Sequence, residues 1–264
     1  EDTDMALLGG PEAHRKNSGL AHIIAADEDE AITDIRTLTD LFANQGFMNA
    51  EVKDIDLADF VPQSKVRTYE VHPLVEAILD TDAEHIELLS MWAPNMTTVL
   101  GRLGGATVGV LASNPAHIAG ALDAAAGEKA ARFVRTCDAF GIPLIVIADV
   151  QGFLPGAGQE WEGAVRRGAK LLHAFGEAVV PRVTLITRRA YGGAYVAMNS
   201  KALGATRVFA WPNAEVSVMG AVAAVRVLHR RILADLPAEQ RESMELELAA
   251  EHEKISGGVT RAVE

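Results

Sequence analysis

The chain has 264 residues, 49% of them hydrophobic, and a formal net charge of -12 at pH 7. This acidic balance argues against a general nucleic-acid binder, because such proteins need clustered lysine and arginine to replace phosphate counterions. The sequence contains no apolar run of about 18 residues, the length that spans a membrane, and its first residues lack the pattern of a signal peptide. We therefore expect a cytoplasmic globular protein with a sizeable core and no membrane association.

The first third of the chain is predicted to mix loops with helices. Residues 1–24 are glycine-rich, which indicates loop and strand. Residues 27–45 space apolar side chains three and four apart and begin with acids, a pattern typical of an amphipathic helix, and Gly46 follows as its C-cap. Residues 50–67 are polar and irregular, as in a linker between subdomains. Helical spacing returns in residues 72–92, which predicts a second helix.

Strands and helices alternate from residue 99 onward. The segment LGRLGGATVGVLASN predicts two short strands joined by a tight turn at Gly104 and Gly105. Helix EKAARFVRTCDAFG precedes strand PLIVIADV, helix AVRRGAKLLHAFGEAV precedes strand RVTLITR, and a loop and a helix lead to strand RVFAWP. The strands PLIVIADV and RVTLITR are nearly continuous apolar runs, as expected for strands buried on both faces. This order predicts an α/β fold.

Several common kinds of site are not predicted. The sequence has no GxSxG elbow, no P-loop and no GxGxxG that opens a helix. Its eight histidines show no HExxH or paired Cys/His spacing, so we expect no metal site. The single cysteine, Cys137, lies in an apolar-periodic stretch, which predicts a buried structural thiol rather than a catalytic one.

Two glycine-rich loops follow buried strands, the places where α/β proteins form their sites. The first is ADVQGFLPGAGQEWEG, and the second, RRAYGGAYVAMNSK, places Gly192, Gly193 and Ala194 just before a predicted helix. Small residues at such a turn leave backbone N–H groups uncovered, which suits an oxyanion. The alternative is that the glycine pair only permits close packing, and composition alone slightly favours that alternative.

Two basic groups of residues are candidates for binding phosphate. Arg166, Arg167 and Lys170 lie in one predicted helix, and VRVLHRRIL near the end of the chain contains Arg230 and Arg231. Solvated helix faces beside acidic neighbours explain each group equally well. The second group carries more weight, because its local charge stands out in an acidic chain.

The alternating segments resemble the carboxyltransferase β subunits of biotin-dependent acyl-CoA carboxylases, especially the acetyl- and propionyl-CoA carboxylases of actinobacteria. The similarity covers most of residues 99–225 in family order, and LGGPEAH with SGLAH at residues 8–22 resembles the end of the family's N-terminal domain. The segments that carry the resemblance are GRLGGATVGVLASNP, EKAARFVRTCDAFGIPLIVIADVQGFLPG, QEWEGAVRRGAKLLHAFGEAVVPRVTLITRRAYGGAYVAMNSK and FAWPNAEVSVMGAVAAV. The resemblance implies a crotonase-like ββα fold. Residues 1–67 would be the remnant of an N-terminal domain and a linker, and residues 68–264 a nearly complete C-terminal, biotin-side domain.

The resemblance also implies an activity and roles for individual residues. The activity is transfer of a carboxyl group from carboxybiotin to the α carbon of acetyl- or propionyl-CoA, which gives malonyl- or methylmalonyl-CoA. The amides of Gly193 and Ala194 would face the ureido oxygen of biotin, Val196 would shape the acyl pocket, and Arg230 and Arg231 would meet the CoA phosphates. The biotin pocket would be lined by Phe153, Leu154, Pro155, Gly156, Tyr191 and Gly192.

The resemblance also predicts partners, and this chain differs from the family at several points. Biotin would be carried on a biotin carboxylase/biotin carboxyl carrier subunit, no metal would bind, and the β subunits would form a hexamer built from dimers. The chain opens on Glu1, and it lacks the front of the N-terminal domain, with its glycine pair for the thioester oxygen, and the C-terminal tail, which predicts truncation at both ends. Gln151 stands where the family usually has proline, and Val222 where it often has lysine. A biotin-dependent decarboxylase subunit and a non-catalytic assembly subunit are the alternatives.

Overall fold

The computed structural model, which describes residues 3–49, 54–64, 67–256 and 259, is built around a seven-stranded sheet. The strands are β1 Ile86–Glu87, β2 Met96–Leu103, β3 Ala106–Ser113, β4 Leu144–Val150, β5 Arg182–Tyr191, β6 Arg207–Ala210 and β7 Glu215–Ser217. They lie side by side in chain order from β1 to β6, and β7 pairs with β5. The first three strands are antiparallel, whereas β3 to β6 are parallel to one another and β7 is parallel to β5. Parallel strands joined through helices confirm the predicted α/β order.

Helices precede, separate and follow the strands. They are α1 Met5–Gly9, α2 Pro11–Ala13, α3 Glu28–Ala43, α4 His72–Ile78, α5 Ala124–Phe140, α6 Ala157–Trp161, α7 Ala164–Glu177, α8 Gly192–Ala197, α9 Ala221–Leu228, α10 Arg230–Ala234 and α11 Ala238–Ser256. A π-helix at His14–Ser18 and 3-10 turns at Ala58–Phe60, Ile118–Gly120 and Lys201–Leu203 complete the set.

Both faces of the central sheet are buried. On β4, Val146 belongs to the larger core cluster beneath α5 and α7, and its neighbour Ile147 belongs to a second cluster beneath α4; neither residue is exposed at all. Adjacent residues of a strand point to opposite faces, so a continuous apolar run requires cover on both. The prediction that PLIVIADV is buried on both faces is confirmed.

The helices α5 and α7 lie in close contact over the larger core. A Cβ placed on Gly127 of α5 would lie 3.2 Å from the Cα of Gly168 on α7. Cys137 of α5 is 0% exposed, and burial raises the pKa of its thiol to about 12. A thiol in this state is not a nucleophile at neutral pH. The predicted structural role of Cys137 is confirmed.

The segment of residues 28–49 packs along the β2–β3 hairpin. The Asp27 side chain accepts a hydrogen bond from the N–H of Glu30 at 2.9 Å, which begins α3 as predicted. Leu41 is 2% exposed within the larger core, and Thr107 of β3 donates its hydroxyl to the Leu41 carbonyl at 2.9 Å. The hairpin itself turns at Gly104 and the following glycine, as predicted. The domain boundary at residue 67 stays a prediction.

Two predictions for the N-terminal part were wrong. Residues 5–18 are helical rather than loop and strand, and the Asp4 carboxylate caps α1 by accepting from the N–H of Ala6 at 2.9 Å. The helix α3 ends at Ala43 with Asn44 as its C-cap, so Gly46 is not the cap. Gly46 has a φ of 69° and lies against the carbonyl oxygen of Gly105, where a side chain would collide.

Two further elements differ in length from the prediction. The helix expected within residues 72–92 ends at Ile78, because the chain then turns to place the Asp80 carboxylate against the N–H groups of Gly104 and Gly105, at 2.9 and 2.8 Å. The strand RVTLITR is longer than expected and runs through Tyr191. Part of the second predicted loop is therefore strand, and α8 begins directly after it.

Candidate functional site

The two predicted glycine-rich segments meet at one edge of the sheet. Because β4 and β5 are parallel neighbours, the segments that follow them lie side by side. Phe153 lies in the loop after β4. Its ring is 3.6 Å from the position that a Cβ on Gly193 would occupy and 2.8 Å from the position of a Cβ on Gly168. Phe153 is thus wedged between α7 and α8. The structure brings the predicted biotin loop into contact with the predicted oxyanion donor.

The start of α8 leaves backbone donors without a side-chain cap. Tyr191 is the N-cap residue and makes no capping hydrogen bond. The first N–H groups of any helix have no acceptor within that helix, so those of Gly192, Gly193 and Ala194 need another partner. Gly193 is exposed, whereas Ala194 is 0% exposed within the larger core. Of the predicted pair, Gly193 is the member at the surface.

Gly192 holds this turn in a conformation that other residues adopt at a cost. Its φ is 61°, in the left-handed region, and a Cβ there would lie 3.0 Å from the Val218 carbonyl oxygen. The glycine therefore lets β5 pass directly into α8 while the segment containing Val218 lies against the turn.

The loop of residues 151–156 is fixed at its base and exposed at its tip. The N–H of Leu122 donates to the Gly152 carbonyl at 3.0 Å, and the N–H of Leu154 donates to the Leu122 carbonyl at 2.9 Å. Pro155 and Gly156 are exposed, and Gly156 has a φ of 139°. These bonds form an isolated parallel β-bridge between Leu122 and Phe153, and the far end of the loop is exposed.

Tyr191 borders a cavity of about 690 Å³. Its hydroxyl donates to the Glu215 carboxylate. The cavity is bounded by the segment of residues 56–63, the ends of β5 and β7, and His252 of α11. Of the predicted biotin-binding residues Tyr191 alone lines this cavity, so the contact between Phe153 and Gly193 lies outside it.

The remaining predicted site residues lie on other surfaces. Val196 is 39% exposed and follows Gly193 by three residues on α8, so both lie on one helix face. Arg230 and Arg231 are exposed at the start of α10, and within the described part of the chain no salt bridge engages them. Their neighbour Arg226 instead binds Glu245, at 2.8 Å.

The first basic group forms ion pairs between helices. Arg167 and Lys170 of α7 both pair with Glu128 of α5, the former at 3.5 Å. These contacts favour the interpretation of this group as a helix face with an acidic neighbour.

A buried ionic network that the sequence did not reveal lies under the two loops. Asp149 of β4 is 0% exposed and accepts from Nε of Arg188 at 2.7 Å and from Nε of Arg189 at 3.2 Å. The Arg188 guanidinium also lies 4.8 Å from the centre of the Tyr69 ring. Burial, and then the Asp149 charge, raise the pKa of Tyr69 far above its usual range. The only sequence signal was an acid and two arginines at the ends of adjacent strands.

Neither a metal cluster nor a membrane helix is found in the described ranges. No three His, Cys, Asp or Glu side chains there are grouped to hold a metal ion. The helices in the same part of the chain are too short or too polar to cross a bilayer.

Curated relatives match the whole chain at high identity. The beta6 subunit of the biotin-dependent acetyl-/propionyl-coenzyme A carboxylase of Mycobacterium tuberculosis is 58% identical over 267 residues, which cover 100% of this chain and 56% of that protein. The propionyl-CoA carboxylase beta chain of Rhodococcus erythropolis is 54% identical and covers 99% of this chain and 56% of that protein. The chain spans about half the length of these relatives.

A solved structure and a family model agree with these relatives. The hexameric transcarboxylase 12S, solved with hydrolysed methylmalonyl-coenzyme A bound, superposes with a TM-score of 0.90 at 36% identity, over 100% of this chain and 52% of that one. This likeness confirms the predicted carboxyltransferase fold. The carboxyl transferase domain model matches residues 1–262. The chain belongs to the carboxyl transferase domain family, as its loops and their order indicated.

Proposed function

We propose that the protein containing this chain transfers a carboxyl group from carboxybiotin to the α carbon of a short acyl-CoA, and that this chain forms the biotin side of the site. The observation that carries the proposal is the exposed residue Gly193 at the start of α8, which has no side-chain cap, with the Phe153 ring beside it. The names of the relatives support acetyl- or propionyl-CoA as the acceptor.

The residues of this edge suit the ureido ring of biotin. Gly193 is exposed at a helix start without a side-chain cap, and the half-buried Phe153 ring offers an apolar surface next to it. Biotin, when present on its carrier protein, supplies the carboxyl group and afterwards a base for the α proton of the acyl-CoA. The Gly193 N–H would hold the negative charge on the ureido oxygen during this exchange. A fixed donor of this kind is worth roughly 3 to 4 kcal/mol, so no side-chain base is needed.

The other predicted residues complete the proposed site. Leu154, Pro155 and Gly156 would wall the biotin pocket, together with Tyr191 and Gly192. Ala194 would be the second donor; because it is fully buried, its amide serves only after the groups that cover it move. Val196 would face the acyl group, and Arg230 and Arg231 the CoA phosphates.

The proposed assembly follows the family. The acyl-CoA side would come from the N-terminal domain of another subunit, in a hexamer built from dimers. The biotin would arrive on the carrier domain of the biotin carboxylase subunit, and the complex would be cytoplasmic.

The test replaces Gly193 with proline in the full-length protein assembled with its biotinylated partner. Proline is tolerated in the first turn of a helix; it removes the N–H and places a ring carbon on the same nitrogen, so the oxyanion loses its donor. We expect the rate of acyl-CoA carboxylation to fall about 100- to 1000-fold. Gly193→Ala is the matched control, because it keeps the N–H and its Cβ would lie 3.6 Å from the Phe153 ring, an ordinary contact. Unchanged turnover in Gly193→Pro would sink the oxyanion role.

A further inference from the structure

The backbone ladder between β4 and β5 is interrupted just before the site. Ala148 pairs with Ile186, but the next recorded pair is Val150 with Ala190, so β4 advances by fewer residues than β5 across this step. Between Ala148 and Val150, regular main-chain pairing therefore does not fix how β4 lies against β5, and a single recorded pair follows the interruption. Both strands lead directly into the segments that contain Phe153 and Gly193.

Asp149 lies inside this interruption and joins the two strands through its side chain. Its Oδ2 accepts from Nε of Arg188 at 2.7 Å, and its Oδ1 accepts from Nε and the backbone N–H of Arg189, at 3.2 and 3.3 Å. Asp149 is 0% exposed and Arg188 is 5% exposed. Charge-assisted bonds between buried groups hold geometry more strongly than exposed ion pairs do.

The same residue also ties in the preceding strand and an outer segment. The N–H of Asp149 donates to the Ser113 hydroxyl at the end of β3, at 2.8 Å. Arg188 donates from Nη1 to the carbonyls of Ser64 and Arg67, at 2.8 and 2.7 Å. The backbone N–H of Asp149 thus connects β4 to β3, while its carboxylate and the Arg188 guanidinium connect β4 to β5 and to the segment that covers them.

From this geometry we infer that Asp149 is a positioning residue for the carboxyl transfer, which fixes the loop of residues 151–156 relative to the Gly193 amide. The inference rests on the proposed function, because it assumes that biotin binds between these two segments. Asp149 acts through Arg188 and Arg189, and it does not touch the substrate. Its loss would let the Phe153 ring and the Gly193 N–H shift relative to each other. This shift would lower the affinity for biotin more than the affinity for acyl-CoA.

The test measures the reverse half-reaction of the full-length protein, in which malonyl-CoA carboxylates free biotin. Asp149→Asn keeps the shape of the side chain and removes the charge that holds both guanidinium groups. We expect the KM for biotin to rise about 10- to 100-fold, since small displacements of a reacting group have effects of this size. The KM for malonyl-CoA should stay within about twofold, because the residues proposed to meet the acyl-CoA on this chain, Val196, Arg230 and Arg231, make none of the Asp149 network's hydrogen bonds.

A milder variant and a matched control keep the result interpretable. Arg189→Lys retains the charge but loses the Nε donor, so its KM for biotin should rise in the same direction by less, even if Asp149→Asn does not fold. Arg182→Lys is the control: Arg182 is a buried arginine at the opposite end of β5, 6% exposed, and it donates to the Phe175 and Gly204 carbonyls. We expect it to lower the melting temperature without changing the KM for biotin.

Four outcomes separate the possibilities. A rise in the KM for biotin in the Asp149 and Arg189 variants, absent in the Arg182 variant, supports positioning. If all three variants only lose thermal stability, Asp149 is structural and the inference is overturned. If Gly193→Pro keeps its full rate in the same assay, the proposed biotin site itself is wrong, and the inference falls with it; loss of rate in Gly193→Pro with an unchanged KM in Asp149→Asn defeats the inference alone.

Discussion

The two ends of β5 contain similar buried arginines in different surroundings. At the start, Arg182 donates to the backbone carbonyls of Phe175 and Gly204, and burial lowers the pKa of its guanidinium. Near the end, Arg188 binds the Asp149 carboxylate and lies over Tyr69. The first arginine donates hydrogen bonds to backbone carbonyls in neighbouring segments, whereas the second belongs to an ionic network near the exposed residue Gly193.

Under the proposed function, this difference gives the start of β5 a role in stability and its end a role in activity. The carbonyl partners of Arg182 are backbone groups whose position does not depend on a ligand. We therefore expect Arg182 to contribute to stability alone. A carboxylate shared by Arg188 and Arg189 fixes the ends of two strands at the edge where the glycine-rich segments meet. We therefore expect substitutions at the start of β5 to reduce stability, and those at its end to reduce activity.

The largest effect is expected at the start of the strand. Arg182→Met fills the space but leaves the Phe175 and Gly204 carbonyls without this donor, which should cost about 2 to 4 kcal/mol of unfolding free energy. Activity per folded molecule should be retained. Chemical denaturation and an activity assay on the folded fraction check both parts. A large fall in the activity per folded molecule would contradict the assignment of Arg182 to stability alone.

At the other end, Gly192→Ala should reduce activity more than stability. Its φ of 61° makes a Cβ cost about 1 to 2 kcal/mol, and the 3.0 Å approach to the Val218 carbonyl forces the turn to shift. We expect at least a tenfold fall in carboxylation rate, since roughly 1.4 kcal/mol at the transition state is tenfold. Gly176→Ala in α7, where a Cβ meets nothing within 4 Å, is the control and should be neutral or stabilising.

Gly156→Ala tests whether the tip of the loop after β4 belongs to the site. The φ of 139° and ψ of 151° are accessible to glycine almost alone, and strain of about 1 kcal/mol should remain after an exposed loop relaxes. We expect a severalfold rise in the KM for biotin and little loss of stability. An unchanged KM would restrict the site to the Phe153 end of the loop.

The smallest effect is a pH dependence that arises away from both ends of β5. Hydrogen bonds from His72 to Glu87 and to Glu70 raise the pKa of His72 to about 8, from 6.5. A raised pKa means that this stabilisation is complete below pH 6.5 and is lost as the pH rises through about 8. His72 is 39% exposed, so the effect should stay below about 1 kcal/mol. Unfolding free energies measured at pH 6 and pH 9, with His72→Gln as reference, should converge at the higher pH.

Much of the fold was predictable because it depends on local pattern. The buried strand β4 followed from its apolar run, the hairpin from its glycine pair, and α5 from its spacing. The helices of residues 5–18 were missed because glycine and proline there lie at caps, as Gly10 and Pro11 do, rather than in a loop. The end of α4 was missed because Asp80 serves the hairpin turn, a contact distant in sequence.

The site was predictable in composition but not in arrangement. The glycine segments and the family resemblance pointed to Gly193 and Phe153, and the contact between them follows from neighbouring parallel strands. The full burial of Ala194 depends on how α8 packs into the core, which one sequence does not specify. Asp149 and its two arginines meet at an irregularity in the pairing of β4 and β5. A periodic sequence pattern does not predict such an irregularity.

The close approach of α5 to α7 limits which residues can occupy two interior positions behind the candidate site. Gly127 leaves no room beside Gly168, and Gly168 leaves none beside the Phe153 ring. A methyl group added to either glycine must move a helix, an aromatic ring or both. In a comprehensive mutational scan, these two buried positions should thus tolerate substitution as poorly as Gly192. The position of the Phe153 ring thus depends on the packing of a helix pair behind it.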